Sequence, residues 1–517
     1  RKGARHLCAA FAPDRLDGMR SPVTCFLLFT LSASAQELAF EKYRLENGMQ
    51  VILHEDHSLP VVCVNIWYGV GSGDEAPGRS GFAHLFEHLM FMGTERTPGS
   101  SFDDWMEAGG GWNNASTSKD RTNYFSVGPS NLLPLLLWLE ADRLEALGSS
   151  MTQEKLDRQR EVVRNERREN TEMRPYGRAY LEIDKLMYPP GHPYHTSVIG
   201  SHEHLEAATL KDVKDFFARY YVPNNASLVV AGDFDPQDIK PRIAAWFGTL
   251  PRRPEVPRKK MAAVELREVR RLTLTDRVQF PRISIIYHSP PFFAPGDAAM
   301  DLVAAILAGG KSSRLYERLV YTDKLATEVS AYQASRRLGS LFHIVVTARP
   351  GVSLDRIEGV VDEELGEFLA RGPSEDELER RKAALEYESV SALQSLRTKA
   401  DRLNLYNFHL GTPNGFRYDL DRYRRATTDT VRKWAIKMLN RRARLILRVL
   451  PEPKVQIRPR AERPDSLATK PFLPQAPEVF ELSNGLEVRH WERRELPRSS
   501  SRAELHWIRR ARRESAD

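Results

Sequence analysis

The stretch Gly81-Phe82-Ala83-His84-Leu85-Phe86-Glu87-His88-Leu89-Met90-Phe91 constrains the fold more than any other part of the chain. Its apolar residues recur at helical spacing without a proline, which predicts a buried or half-buried helix. Residues three and four apart on a helix share a face, so His84, Glu87 and His88 point the same way. The fold must bury the rest of this helix yet leave two imidazoles and a carboxylate on one accessible side. That pattern suits two metal nitrogens with a base beside a water. A pair of core histidines around a satisfied carboxylate is the plainer reading, and the specificity of the spacing argues against it.

At 517 residues, 41% hydrophobic and 28% charged, the chain has the composition of a soluble globular protein with room for several domains. Its net charge of +7 is concentrated at the end, where the last twenty residues carry six arginines against three acids. No basic stripe is interleaved with aromatics, so a nucleic-acid partner is not expected. Residues 1–35 read as a leader. Within it, 19–35 has the form of a signal peptide: Met19-Arg20, an apolar run Val23 to Leu31, and Ala33-Ser34-Ala35. This predicts a periplasmic or secreted protein, and the run is too short to be a transmembrane segment. Cys8 and Cys25 fall in the leader, leaving Cys63 without a partner for a disulfide.

Beyond the leader, Asn47-Gly48 between alternating runs predicts a hairpin, and Val61 to Tyr68 a strand. Asn113 to Thr117 and Thr122 to Val127 read as paired strands, Leu132–Leu144 and Glu154–Glu172 as helices. Leu210–Tyr220 reads as a further helix, and Ala226–Gly232 as a buried strand. These place a first domain at 36–250 and a proline-containing linker at 251–262. A second domain of the same style occupies 263–450, with strands at Arg282–Ser289, Leu341–Ala348 and Leu445–Leu450. The class is α+β: two similar domains of about 200 residues, each a mainly antiparallel sheet packed with helices. A proline-rich linker follows at 451–477. Leu482-Ser483-Asn484-Gly485-Leu486-Glu487-Val488 then copies Leu45-Glu46-Asn47-Gly48-Met49-Gln50-Val51 at an offset of 437 residues. Leu59-Pro60 and Leu496-Pro497 keep the same offset. Residues 478–497 thus read as the truncated start of a repeat of the whole unit, and 498–517 as an out-of-pattern basic tail.

A catalytic zinc takes three protein ligands and keeps an open position. His84 and His88 supply two, and Glu87 is placed to take a proton from water. By residue chemistry alone the third ligand stays open among Glu140, Asp142, Glu161, Glu166 and Glu169. The motif helix, together with Asn114-Ala115-Ser116-Thr117, Thr122-Asn123-Tyr124-Phe125, Val162-Val163-Arg164-Asn165-Glu166 and Pro223-Asn224-Asn225-Ala226, resembles the pitrilysin/insulinase family of metallopeptidases. The resemblance runs from about residue 40 to 455. It implies one half of a clamshell, binding one zinc through His84, His88 and Glu166, with Glu87 as general base. Asn114 and Ala115 would lie on the edge strand that binds an extended peptide, and Gln159 would be a neutral hydrogen-bond partner near the site. The implied activity is zinc-dependent endopeptidase cleavage of peptides or unfolded segments. The family completes its site with an Arg and a Tyr seven positions apart from the other half. That pair is absent from Leu319 to Thr327, as expected for a zinc half, and the repeat that should carry it breaks off after Pro497, so the resemblance also admits a catalytically incomplete zinc-binding half that works with a partner subunit or only binds peptides.

Two other patterns attract notice. Gly309-Gly310-Lys311-Ser312 lacks the first glycine of a phosphate loop, Ala305 standing in its place. His192, His195, His202 and His204 lack the spacing of a zinc motif and read as a solvated loop.

Overall fold

The computed structural model describes residues 38–453 and 476–490. Residues 38–453 belong to one compact unit and the short segment at 476–490 to a second. The leader, most of the proline-rich stretch and the basic tail lie outside the described residues.

The first sheet holds β1 (Glu41–Arg44), β2 (Gln50–Glu55), β3 (Val61–Tyr68), β4 (Trp112–Thr117), β5 (Thr122–Pro129) and β6 (Ala226–Gly232). Its order is β1-β2-β6-β3-β5-β4, with β2 and β6 parallel and every other pair antiparallel. The second sheet holds β7 (Arg270–Asp276), β8 (Arg282–Ser289), β9 (Ala326–Ala334), β10 (Ser340–Ala348) and β11 (Leu445–Pro451). Its order is β7-β11-β8-β10-β9, with β7 and β11 parallel. Without β1, the first sheet has the same order, the same edges and the same single parallel pair. The α+β class with two similar, mainly antiparallel sheets stands.

β3 and β6 are buried along nearly their whole length, which requires cover on both faces of the sheet. One face packs against the motif helix Phe82–Leu89 and the helices Leu133–Ser150 and Leu210–Tyr220, through Leu85, Phe86, Leu136, Leu139 and Phe216. The other face, with Ile52, Cys63, Val229 and Ala231, is covered by Ala400 and Leu403 of the helix Leu396–Leu410. This helix comes from far along the chain and docks through polar groups as well. Asn404 donates to the carbonyl of Asn65 at 3.0 Å, Trp67 to Asp401 at 3.2 Å, and Lys42 to Asn407 at 2.6 Å. Residues from the 263–450 stretch therefore complete the core of the 36–250 stretch, which the reading of the sequence as separate domains did not anticipate. Residues 251–266 carry no helix or strand, yet they are tethered. Arg258 donates to the Gly69 carbonyl and Lys259 to that of Gly73 at 2.7 Å.

In the second unit, β12 (Glu478–Glu481) pairs with β13 (Glu487–His490). Its register, Glu481 opposite Glu487, is that of Arg44 opposite Gln50 shifted by 437 residues. The turns also match: Gly48 and Gly485 both have positive φ, +93° and +82°. In each, the asparagine side chain accepts from the second residue onward, Met49 and Leu486, at 3.2 Å.

Candidate metal centre

The motif helix starts at Gly81, whose φ of +88° is open to glycine and strained for any other residue. A side chain there would also press on backbone, its Cβ 2.8 Å from the Ile199 carbonyl oxygen and 2.9 Å from Gly200 Cα. Glu75 closes the helix start by accepting from the Gly81 N–H at 3.2 Å and the Ala83 N–H at 2.9 Å, and burial pushes its carboxyl up to about 8 against those two hydrogen bonds. Along the helix, Phe82, Ala83, Leu85, Phe86 and Leu89 are buried. His84, Glu87 and His88 alone among its residues are half-buried and line a cleft of about 640 Å³. The helical periodicity thus sorts core from chemistry residue by residue.

The helix Gln153–Arg167, capped by the Thr152 hydroxyl accepting from Lys155, brings Glu166 to the same place. Glu166 Oε2 lies 3.1 Å from His88 Nε2 and 3.7 Å from His84 Nε2. One ligating atom from each residue falls within 4.8 Å of the others, and among the described residues this is the sole such cluster. Three of the four other open candidates are engaged elsewhere, and Glu169 is exposed and outside the cluster. Glu140 is buried in a pair with Arg143, Asp142 binds Thr94, Thr97 and Arg96, and Glu161 pairs with Arg164 at 2.7 Å. The Gln159 amide sits 2.7 Å from Met92 Sδ.

The electrostatics of the cluster follow from burial and proximity. Burial, then the neighbouring His88, pushes the His84 imidazole down to about 4, so it is neutral and a ligand form near pH 7. The hydrogen bond from His88 holds the Glu166 carboxyl below its usual range. Burial raises the Glu87 carboxyl, and the Thr117 hydroxyl, donating to Glu87 Oε2 at 2.5 Å, opposes that rise.

Thr117 ends β4, which also carries Asn114 and Ala115 into the cleft. β4 pairs with β5 only and is the edge of its sheet, so one row of its backbone groups is open to another strand. There, the Ala115 N–H is met by its neighbour's Asn114 Oδ1 at 2.7 Å. Tyr180, Val198 and Ile199 complete the cleft wall. Neither Thr117 as a partner of Glu87, nor Glu75 as a cap, nor this wall was read from the sequence. Glu75 stands six residues before Gly81, outside the cap and first-turn positions that a sequence pattern marks. The four histidines do not form the solvated loop expected of them: none is exposed, and His202 and His204 lie on the short helix His202–Glu206. His192 is buried against the Tyr188 ring, and His195, His202 and His204 bond to the Tyr188 carbonyl, Glu172 and Ser80 respectively.

Two repeated sheets, with a helix-borne His/Glu/His face and a carboxylate from the helix Gln153–Arg167, make a candidate metal-binding scaffold. Comparison with known proteins specifies it. Residues 50–181 match the family described as Insulinase (Peptidase family M16), and residues 207–385 match the Peptidase M16 inactive domain. The chain is 30% identical over 393 residues to the zinc protease PqqE of Helicobacter pylori, covering 74% of this chain and 87% of that protein. The crystal structure of a protease from Helicobacter pylori superposes with a TM-score of 0.76 at 26% identity, covering 80% of this chain and all of that one. The periplasmic protease PqqL from Escherichia coli shares the fold at TM-score 0.67 and 18% identity, over 87% of this chain and 55% of that one. The chain belongs to the insulinase family, peptidase family M16.

Proposed function

We propose that this chain is a zinc-dependent endopeptidase acting on peptides or unfolded polypeptide segments in the periplasm or outside the cell. The observation that carries the reading is the convergence of His84, His88 and Glu166 beside Glu87 in a cleft bounded by an unpaired strand edge. Two imidazoles and a carboxylate are the donor set of a catalytic zinc site that keeps a position open. Zinc held there would supply Lewis acidity toward the scissile carbonyl and acidify water. The remaining steps belong to the chain's own residues. Glu87, oriented by Thr117, takes the proton of the attacking water and hands it to the leaving amine. Asn114 and Ala115 on β4 receive the substrate backbone as an added strand, which selects peptides able to extend. Glu87→Gln should retain stoichiometric zinc and abolish cleavage of an unstructured peptide; turnover surviving in that variant would sink the mechanism. The periplasmic or secreted location is supported by the signal-like leader. Among the described residues no helix is long and apolar enough to cross a membrane.

A second reading is favoured by one observation, the β12–β13 hairpin that repeats β1–β2 in register and turn. It supports reading 478–490 as the opening of a second two-domain unit. On that reading the described zinc half is catalytically incomplete alone and needs the second unit, in the same polypeptide or as a partner subunit. Peptidase activity of the chain by itself, abolished by a chelator and restored by zinc, decides between the two.

A further inference from the structure

The turn between β4 and β5, residues Ser118–Arg121, leads directly into Thr117 and the strand edge of the cleft. Its backbone carbonyls are held within the first domain, where Ser72 and Gly73 donate to Ser118 and Lys119 at 3.0 and 2.8 Å. Its side chains reach the other way. Asp120, 7% exposed, accepts from the Arg337 N–H at 3.0 Å and from the Tyr194 hydroxyl at 2.5 Å. The same hydroxyl accepts from the Leu338 N–H at 3.0 Å. Lys119, 5% exposed, pairs with Asp184 at 2.8 Å, and Asp184 also takes Arg336 at 2.7 Å. Arg336, Arg337 and Leu338 form the turn between β9 and β10. That is the counterpart, in the second sheet, of the β4–β5 turn in the first. Two equivalent hairpin turns are therefore latched to each other through buried charged groups, which hold geometry tightly because leaving either side unpaired is costly.

We propose that Asp120 is a positioning residue through which the β9–β10 turn of the second domain fixes the β4–β5 hairpin, and with it the strand that receives substrate. This gives the second domain, whose helices and strands bring no residue to the His84–His88–Glu166 cluster, a direct role in the site. The inference rests on β4 being the substrate strand, as proposed above. It is tested in the full chain carrying Glu87→Gln, so that a fluorescein-labelled unstructured peptide binds without turnover. Asp120→Ala should weaken that peptide about tenfold, the equivalent of one charge-assisted hydrogen bond, with zinc still at one per chain. Tyr194→Phe, which keeps the aromatic packing, should weaken it about threefold and stays informative if Asp120→Ala folds poorly. Hydrogen exchange supplies the independent reading. Both variants should speed exchange across residues 112–122 and leave the motif helix 82–89 unchanged. Unchanged exchange across 112–122 overturns the latch. Faster exchange with unaltered peptide affinity keeps the latch and overturns the assignment of β4 as the substrate strand.

Discussion

Replacing Glu166 by Gln tests the metal centre without relying on turnover. The side chains are nearly isosteric, and a Gln carbonyl can still accept from His88, which now sits 3.1 Å from the carboxylate. The fold and the metal-free stability should therefore survive. What disappears is the single negative charge facing two imidazoles, one of them held neutral near pH 7. Structural zinc sites with four ligands bind with about 10–16 kcal/mol, or roughly 3–4 kcal/mol per ligand. Losing one of three ligands should thus weaken zinc about 10²- to 10³-fold. Competition against a chromogenic chelator at pH 7.5 measures this directly. Thermal unfolding provides a second readout. At free zinc one hundred times the wild-type Kd, binding adds about 2.7 kcal/mol to wild type. The variant should gain less than about 0.5 kcal/mol under the same conditions. The melting temperatures should coincide without zinc and separate with it. A Kd within threefold of wild type would remove Glu166 from the ligand set.

Four other outcomes are expected. Thr117→Val should keep zinc and lower kcat about 10- to 100-fold by freeing Glu87, while Thr117→Ser restores it; a Val variant as active as wild type would mean the 2.5 Å hydrogen bond does not orient the base. Gly81→Ala should cost about 1–3 kcal/mol or more in urea unfolding, from its φ of +88° and the contact with the Ile199 carbonyl. Leu403→Ala, at a fully buried position, should cost about 2–5 kcal/mol and speed exchange in β3 and β6, although the residue lies more than 170 positions after either strand. His343 is buried, and its imidazole is pushed down to about 3 by that burial and by Arg336. Its folded value lies below the unfolded one, so its contribution is complete above pH 6.5 and is lost as pH falls toward 3, at about 1.4 kcal/mol per pH unit. His343→Gln should therefore flatten the stability–pH slope between pH 6 and 4.5 by about one proton, and an unchanged slope would refute the assignment.

Local patterns were legible where one element's sequence contains its own cause. Val61–Tyr68, Leu210–Tyr220, Ala226–Gly232 and Arg282–Ser289 end where turn residues and apolar runs place them. β7 and β9 were not seen: as edge strands they bury few side chains, and each offers only a short apolar signal, Leu272 and Leu274 in β7 and Val329 in β9. The Leu396–Leu410 helix was missed for a similar reason. Its polar residues look like a solvated face, and only the buried Asn65 and Trp67 opposite reveal them as docking groups. In the site, the helix spacing alone brings His84, Glu87 and His88 together, whereas Glu166 depends on how two helices cross. Thr117 and Asp120 depend on sheet register and on a second domain, which no local pattern encodes.

The repeated topology bears on why, among the described residues, only one of the two domains presents a cluster of possible metal ligands. Gly81 and Gly296 start the helices that follow β3 and β8, strands that hold the same place in the two sheets once β1 is set aside, and both have φ near +90°, +88° and +94°. Setting one glycine on the other places Ala299, Leu302 and Val303 at the positions of His84, Glu87 and His88. Those three residues are 5%, 0% and 0% exposed and lie within or against the core of the second domain. The same backbone device therefore has two fillings. In the first domain the helix face opposite the core is raised to a cleft, where it can hold charge because Glu166 and Thr117 meet it. In the second, no cleft opens there, and an imidazole at Val303 would be buried without a partner at a cost of several kcal/mol. Apolar residues fill the face, the helix becomes core on all sides, and the domain is left to act through its turns. The latch between Asp120 and the β9–β10 turn is what such a domain can contribute: geometry for a site that it no longer carries itself.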